Sequence, residues 1–96
     1  MTPQKKKHKE YQKYADRFAI IEFNNNIYLI KIIAIALNGY YAKIEWYEWD
    51  DFYKGFHVNA MEELHLSEFV VLKDFETMTE ARKEYDEMLD AKKYNL

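Results

Sequence analysis

The stretch that most restricts this chain is IYLIKIIAIAL, residues 27–37, which runs directly into Asn38-Gly39 and then YYAKIEWYEW. Asn-Gly between two β-forming runs is the strongest short-range hairpin signal, because both central residues of a type I′ turn need positive φ. At eleven residues with Lys31 inside it, the apolar run is too short to cross a bilayer. The spacing therefore predicts a hairpin with Asn38 and Gly39 as its loop. In that register Leu37 faces Tyr40, Ile35 faces Ala42, Ile33 faces Ile44 and Lys31 faces Trp46. The other side collects Ala36 with Tyr41, Ala34 with Lys43, Ile32 with Glu45 and Ile30 with Tyr47. Neither side is polar, whereas an antiparallel sheet usually turns one face to water. The expectation is that a helix of the same chain, a second copy, or another partner covers the spare face.

Around this hairpin the pattern predicts further short elements. RFAIIEF (residues 17–23) reads as a first strand, rich in β-branched and aromatic residues and ended by the turn-prone Asn24-Asn25-Asn26. DDFYKG (residues 50–55) reads as a loop, FHVNA (56–60) as a short fourth strand, MEELHLS (61–67) as one helical turn, and EFVVLKDF (68–75) as a fifth strand. Tyr11, Tyr14, Ala15 and Phe18 at helical spacing predict a short helix over residues 10–16, whose start is opposed by the like charges of Lys5, Lys6, Lys7 and Lys9. The last segment is the clearest helix. Thr77 and Glu80 form a capping box, and Met78, Ala81, Tyr85, Met88, Leu89 and Lys92 trace an apolar stripe, with Asn95 as its stop.

These elements define an α+β fold. It is a four- to five-stranded antiparallel sheet or partial small barrel, with a C-terminal helix packed on it and a short N-terminal helix. Five short strands with one helical turn before the last resemble, in architecture alone, SH3-like small barrels. Residues 1–9 read as a basic tail and residues 10–96 as a single compact domain, since 96 residues lie near the lower end of what buries a self-sufficient core.

Charge divides the chain. Residues 1–17 hold six Lys or Arg against two acids, a balance of +4, while the total is −3. From Glu45 to Asp90, fourteen acids face Lys54, Lys73, Arg82 and Lys83, a balance of −10. The body is acidic and carries a basic arm. With zero Cys there is no disulfide framework, thiolate nucleophile or Cys-based zinc site, which suits a reducing cytoplasm. The basic start has no apolar run behind it, so no secretory signal is expected. Twelve Lys against two Arg, with plentiful Ile, Asn and Tyr, are residues of A/T-rich codons, compatible with a low-GC bacterium, its phages or its plasmids.

No constellation demands catalysis. Asp50-Asp51, with Glu48 and His57 nearby, could supply acid and base groups, but neighbouring acids on a loop point apart and no nucleophile or phosphate-cradling glycine loop accompanies them. His8, His57 and His65 are too scattered for a helical metal pair, so no metal or other cofactor is expected and the chain reads as a non-enzyme.

The binding argument rests on residues 38–56, which hold eight of the seventeen aromatic rings, interleaved with Lys, Glu and Asp. Tyr and Trp dominate binding hot spots because they bury large rigid area and keep a polar handle. The expected partner surface is Tyr41, Lys43, Glu45, Tyr47, Trp49, Asp50, Asp51, Phe52 and Tyr53. Its acids favour a partner with exposed Lys or Arg, such as a nucleic-acid-binding protein. The sequence thus points to an accessory or inhibitor protein of a phage or mobile element. One alternative is a nucleic-acid-binding small barrel using Lys5, Lys6, Lys7 and Lys9 on phosphates, against which the acidic body argues. The other is a homodimer binding a small nucleotide-like ligand at its seam, where rings lie beside Lys43, Lys54 and Asn59.

Overall fold

The structure, a computed structural model, describes residues 10–36 and 39–94, the last three of these by backbone alone. Strands β1 (Arg17–Phe23), β2 (Asn26–Ile35), β3 (Tyr41–Asp50), β4 (Gly55–His65) and β5 (Phe69–Phe75) precede a helix, α1 (Met78–Tyr94). They form one antiparallel sheet in the order β4-β3-β2-β1-β5, with α1 on one face and a helical turn at residues 10–12 near the other.

The sheet cannot be flat. Four strand spacings of about 4.8 Å would separate its edges by about 19 Å, yet β4 at one edge passes to β5 at the other through Leu66, Ser67 and Glu68 alone. Four residue steps reach at most about 14 Å. The sheet therefore coils until its edges approach at that end, helped by bulges in the β1–β5, β2–β3 and β3–β4 pairings. It stops short of closure, an open half-barrel. The crossing is fixed by Leu66 N–H donating to the Tyr40 carbonyl (2.8 Å) and Glu68 N–H to the His65 carbonyl (2.9 Å).

The coiled face holds the larger core. Ala19, Ile21, Ile30, Ile32, Ile44 and Ala42 are fully buried there, with Leu64, Leu66 and Phe69 drawn in from both edges. Tyr11 and Tyr14 of the N-terminal segment pack against it and cover its mouth. Among the described residues, that segment is helical only over residues 10–12. It continues as tight turns, because Asp16 must reverse direction with φ 61° to enter β1, where its N–H meets the Ile32 carbonyl at 2.7 Å. The opposite face buries Ile20, Leu29 and Phe75 against Ala81 of α1. The α1 capping box forms as expected: Glu80 N–H donates to Thr77 Oγ1 (3.3 Å), and the two side chains meet at 2.9 Å.

Two expectations need correction. Residues 61–65 are not a helical turn. They extend β4 to His65, because Met61–His65 pair with Tyr41–Glu45 along the edge. The hairpin register holds at Ile35–Ala42 and Ala34–Lys43, then a bulge at Ile33 shifts it by one, so that Ile32 meets Ile44, Lys31 meets Glu45 and Ile30 meets Trp46. Ile30, Ile32 and Ile35 thereby share one buried side, and the other side takes Lys31, Ala34, Lys43 and Glu45. The middle of the hairpin is one-sided after all, and no spare apolar face is left there for a partner. The clearest two-residue turn joins β1 to β2. Asn24 and Asn25 sit at φ 50° and 66° between the paired Phe23 and Asn26, as a type I′ turn requires. At the other turn Gly39 has φ 79°, as expected, while Leu37 and Asn38 lie outside the described residues. So do residues 1–9, Asn95 and the side chain of Lys92.

Candidate functional site at the projecting hairpin

Pairing between β2 and β3 ends at Ile30–Trp46. Beyond it Tyr47–Asp50 pair only with Gly55–Val58 of β4, while Ile27, Tyr28 and Leu29 of β2 pair with β1. The distal half of the β3–β4 hairpin thus leaves the sheet and projects past it. Between this arm, the start of β2 and α1 lies a cleft of about 800 Å³.

Aromatic rings build both walls. On one side Tyr28 and Trp46 pack edge to face at 5.2 Å between centroids, and Phe23 lies 5.7 Å from Trp46. On the other, Phe56 links Trp49 (5.4 Å) to Tyr85 (6.1 Å), and Tyr85 O–H reaches the Ile27 carbonyl at 3.4 Å. Arg82 of α1 lies over the Trp49 ring at 4.3 Å, with its Nε 4.0 Å from Asp86 Oδ2. Glu48, Asn59 and Asp86 complete the polar lining. The sequence suggests a roomy concavity only at a dimer seam. Here one chain forms it, because α1 closes the angle that the departing arm opens.

The arm ends in a tight loop held by its own acids. Asp50 Oδ1 accepts the N–H groups of Phe52 (2.8 Å) and Tyr53 (3.1 Å), and Trp49 Nε1–H donates to Asp51 Oδ1 at 2.7 Å. Lys54 turns the chain at φ 56°. Phe52 and Tyr53 pack edge to face at 4.9 Å and stand 84% and 78% exposed. His57 Nδ1 lies 3.8 Å from Asp50 Oδ2. Asp50 is thus engaged in shaping the loop.

The partner surface expected from sequence divides into three. Tyr41 and Lys43 are exposed at the far end of β3, Tyr41 against the His65 ring. Glu45, Tyr47 and Trp49 are half-buried, Tyr47 against Phe18 and Trp49 against Phe56 and Arg82. Asp50, Asp51, Phe52 and Tyr53 come together at the tip. Sequence reasoning missed the contributions of Phe23, Tyr28, Arg82, Tyr85 and Asp86. The i, i+3, i+4 spacing of Arg82, Tyr85 and Asp86 was a local signal of one shared helix face. Lys5, Lys6, Lys7 and Lys9 lie outside the described residues.

Among the described residues, three phenols have their ionisation pushed above the usual 10.0. Burial is the main cause at each, helped by Tyr14 and Glu10 at Tyr11, by Glu45 at Tyr47, and by Tyr28 and Asp86 at Tyr85. A group that holds its proton more tightly when folded contributes stability below its unfolded pKa and loses it as pH rises through the folded value. The expected outcome is phenolate absorbance that continues to grow beyond the usual tyrosine range, with a urea midpoint falling over the same alkaline window.

Among the described residues, no helix is long and apolar enough to cross a membrane, and no three His, Asp or Glu gather as a metal site needs. The fold and site define an α+β half-barrel with an aromatic arm. Comparison with known proteins finds no match to a family model, a curated protein or a solved structure.

Proposed function

We propose that this chain is a non-enzymatic accessory or inhibitor protein that binds a second protein, rich in exposed Lys and Arg, through the tip of the β3–β4 arm. The observation that carries the reading is the pair Phe52 and Tyr53, 84% and 78% exposed on a loop already ordered by Asp50 and Asp51. Burying such a ring is worth about 1.5–3 kcal/mol, and a pre-ordered loop loses little entropy on docking. Glu48, Asp50 and Asp51 place negative charge around the rings, which selects and steers a basic partner. The lysine-rich, arginine-poor composition suits a phage or mobile element acting in a bacterial cytoplasm, where such a domain could occupy a phosphate-binding groove.

The test is site-directed photo-crosslinking in cells, with a benzophenone amino acid replacing Phe52 in one protein and Val70 in another. Val70 is 56% exposed on β5 at the opposite edge and serves as the control. A discrete adduct at position 52, to a protein with a basic surface, and none at position 70 is the expected result. No adduct at 52, or the same adduct at both, defeats the reading.

A further inference from the structure

We propose that the cleft between the arm and α1 receives an arginine side chain of the partner protein; this rests on the reading that the partner is basic and extends it from the tip to a defined pocket. At about 800 Å³ the cleft has the size of ordinary ligand sites and admits a short extended segment of chain. Its chemistry is that of a cation receptor. The Tyr28–Trp46 and Trp49–Phe56 pairs give two aromatic walls, and an aromatic face attracts a cation through its quadrupole.

Charge points the same way. Among the described residues the lining has carboxylates at Glu48 and Asp86 and one cation, Arg82. Arg82 is paired with Asp86 and lies over the Trp49 ring at 4.3 Å, so the fold itself shows a guanidinium held on one aromatic wall and leaves the Tyr28–Trp46 wall for an incoming one. Glu48 is left to face an incoming positive charge. A planar, weakly hydrated guanidinium suits flat walls better than a compact ammonium. A phosphate would meet two carboxylates and the negative faces of the rings against one cation, Arg82, itself paired with Asp86, which disfavours the nucleotide-like ligand.

The test titrates the full chain with acetyl-Gly-Arg-Gly-amide and with the same peptide carrying citrulline, which keeps the shape and removes the charge. The readout is the indole N–H signals of Trp46 and Trp49 in a proton–nitrogen spectrum. The arginine peptide should shift both saturably, and citrulline should not. Glu48→Gln should weaken the arginine peptide about threefold with the spectrum otherwise unchanged, the size of an exposed ion-pair contact. Equal response to citrulline, no response to arginine, or saturable shifts with adenosine monophosphate instead would overturn the assignment. Phe52→Ala with Tyr53→Ala should leave the peptide response intact. A silent peptide titration beside a positive cross-link at position 52 therefore refutes the cleft alone, and the reverse refutes the tip alone.

Discussion

Replacing Phe52 and Tyr53 together by Ala is expected to abolish partner binding while leaving the fold as it is. Both rings are largely in water and touch chiefly one another, so their removal should move stability by no more than about 0.5 kcal/mol, as for other exposed sites. A pair of aromatic anchors at the centre of an interface typically carries about 2–4 kcal/mol each, so affinity should fall by roughly three orders of magnitude or more. Calorimetric titration against the partner recovered by cross-linking, with urea denaturation of the same samples, separates the two effects. Wild-type affinity in the double variant would remove the tip from consideration. Trp49→Ala is a poorer probe. That ring packs on Phe56, carries Arg82 and bonds Asp51, so its loss would loosen the whole arm.

The second large effect is expected at the seam where the sheet coils on itself. Phe69, 2% exposed at the start of β5, joins the core that holds Leu64 and Leu66 from the opposite edge. Its ring meets Tyr11 at 5.7 Å, and its carbonyl accepts the Tyr11 hydroxyl at 3.4 Å. Phe69→Ala should cost about 3–5 kcal/mol, the range for emptying a buried aromatic site. Domains of this kind have only about 5–15 kcal/mol in total. The urea midpoint should drop accordingly, and amide exchange should accelerate first along β4 and β5. A loss under about 1 kcal/mol would mean that the edges are held together by something other than this ring.

The same contrast between local and distant contacts separates what was legible from what was not. Strand β1 appears with the bounds that β-branched spacing predicts, β5 begins one residue later than expected, and the Thr77–Glu80 box opens α1 where its pattern does. In each case the deciding interactions lie within a few residues. The fate of residues 61–65 was not legible. Met-Glu-Glu-Leu-His favours a helical turn by itself, and pairing with Tyr41–Glu45 overrides that preference.

The candidate site shows both sides. Rings crowded among acids over residues 38–56 pointed to this hairpin, and residues 50–53 lie together at its tip. Their neighbours on β3 turned out to be half-buried, and the cleft beside them draws on β1, β2 and α1.

Composition and periodicity alone therefore determined the class of fold, the position of the hairpin and the acidic, aromatic character of its end. They did so because backbone preference, side-chain alternation and charge are properties of short windows. Tertiary structure decided the rest: the bulge at Ile33, the coiling of the sheet and the departure of the arm from β2. One extra residue in a strand is nearly neutral locally, but it exchanges the faces of Ile30 and Ile32. Only the packing of those side chains against Ala19, Ile21 and Ile44 selects between the two arrangements.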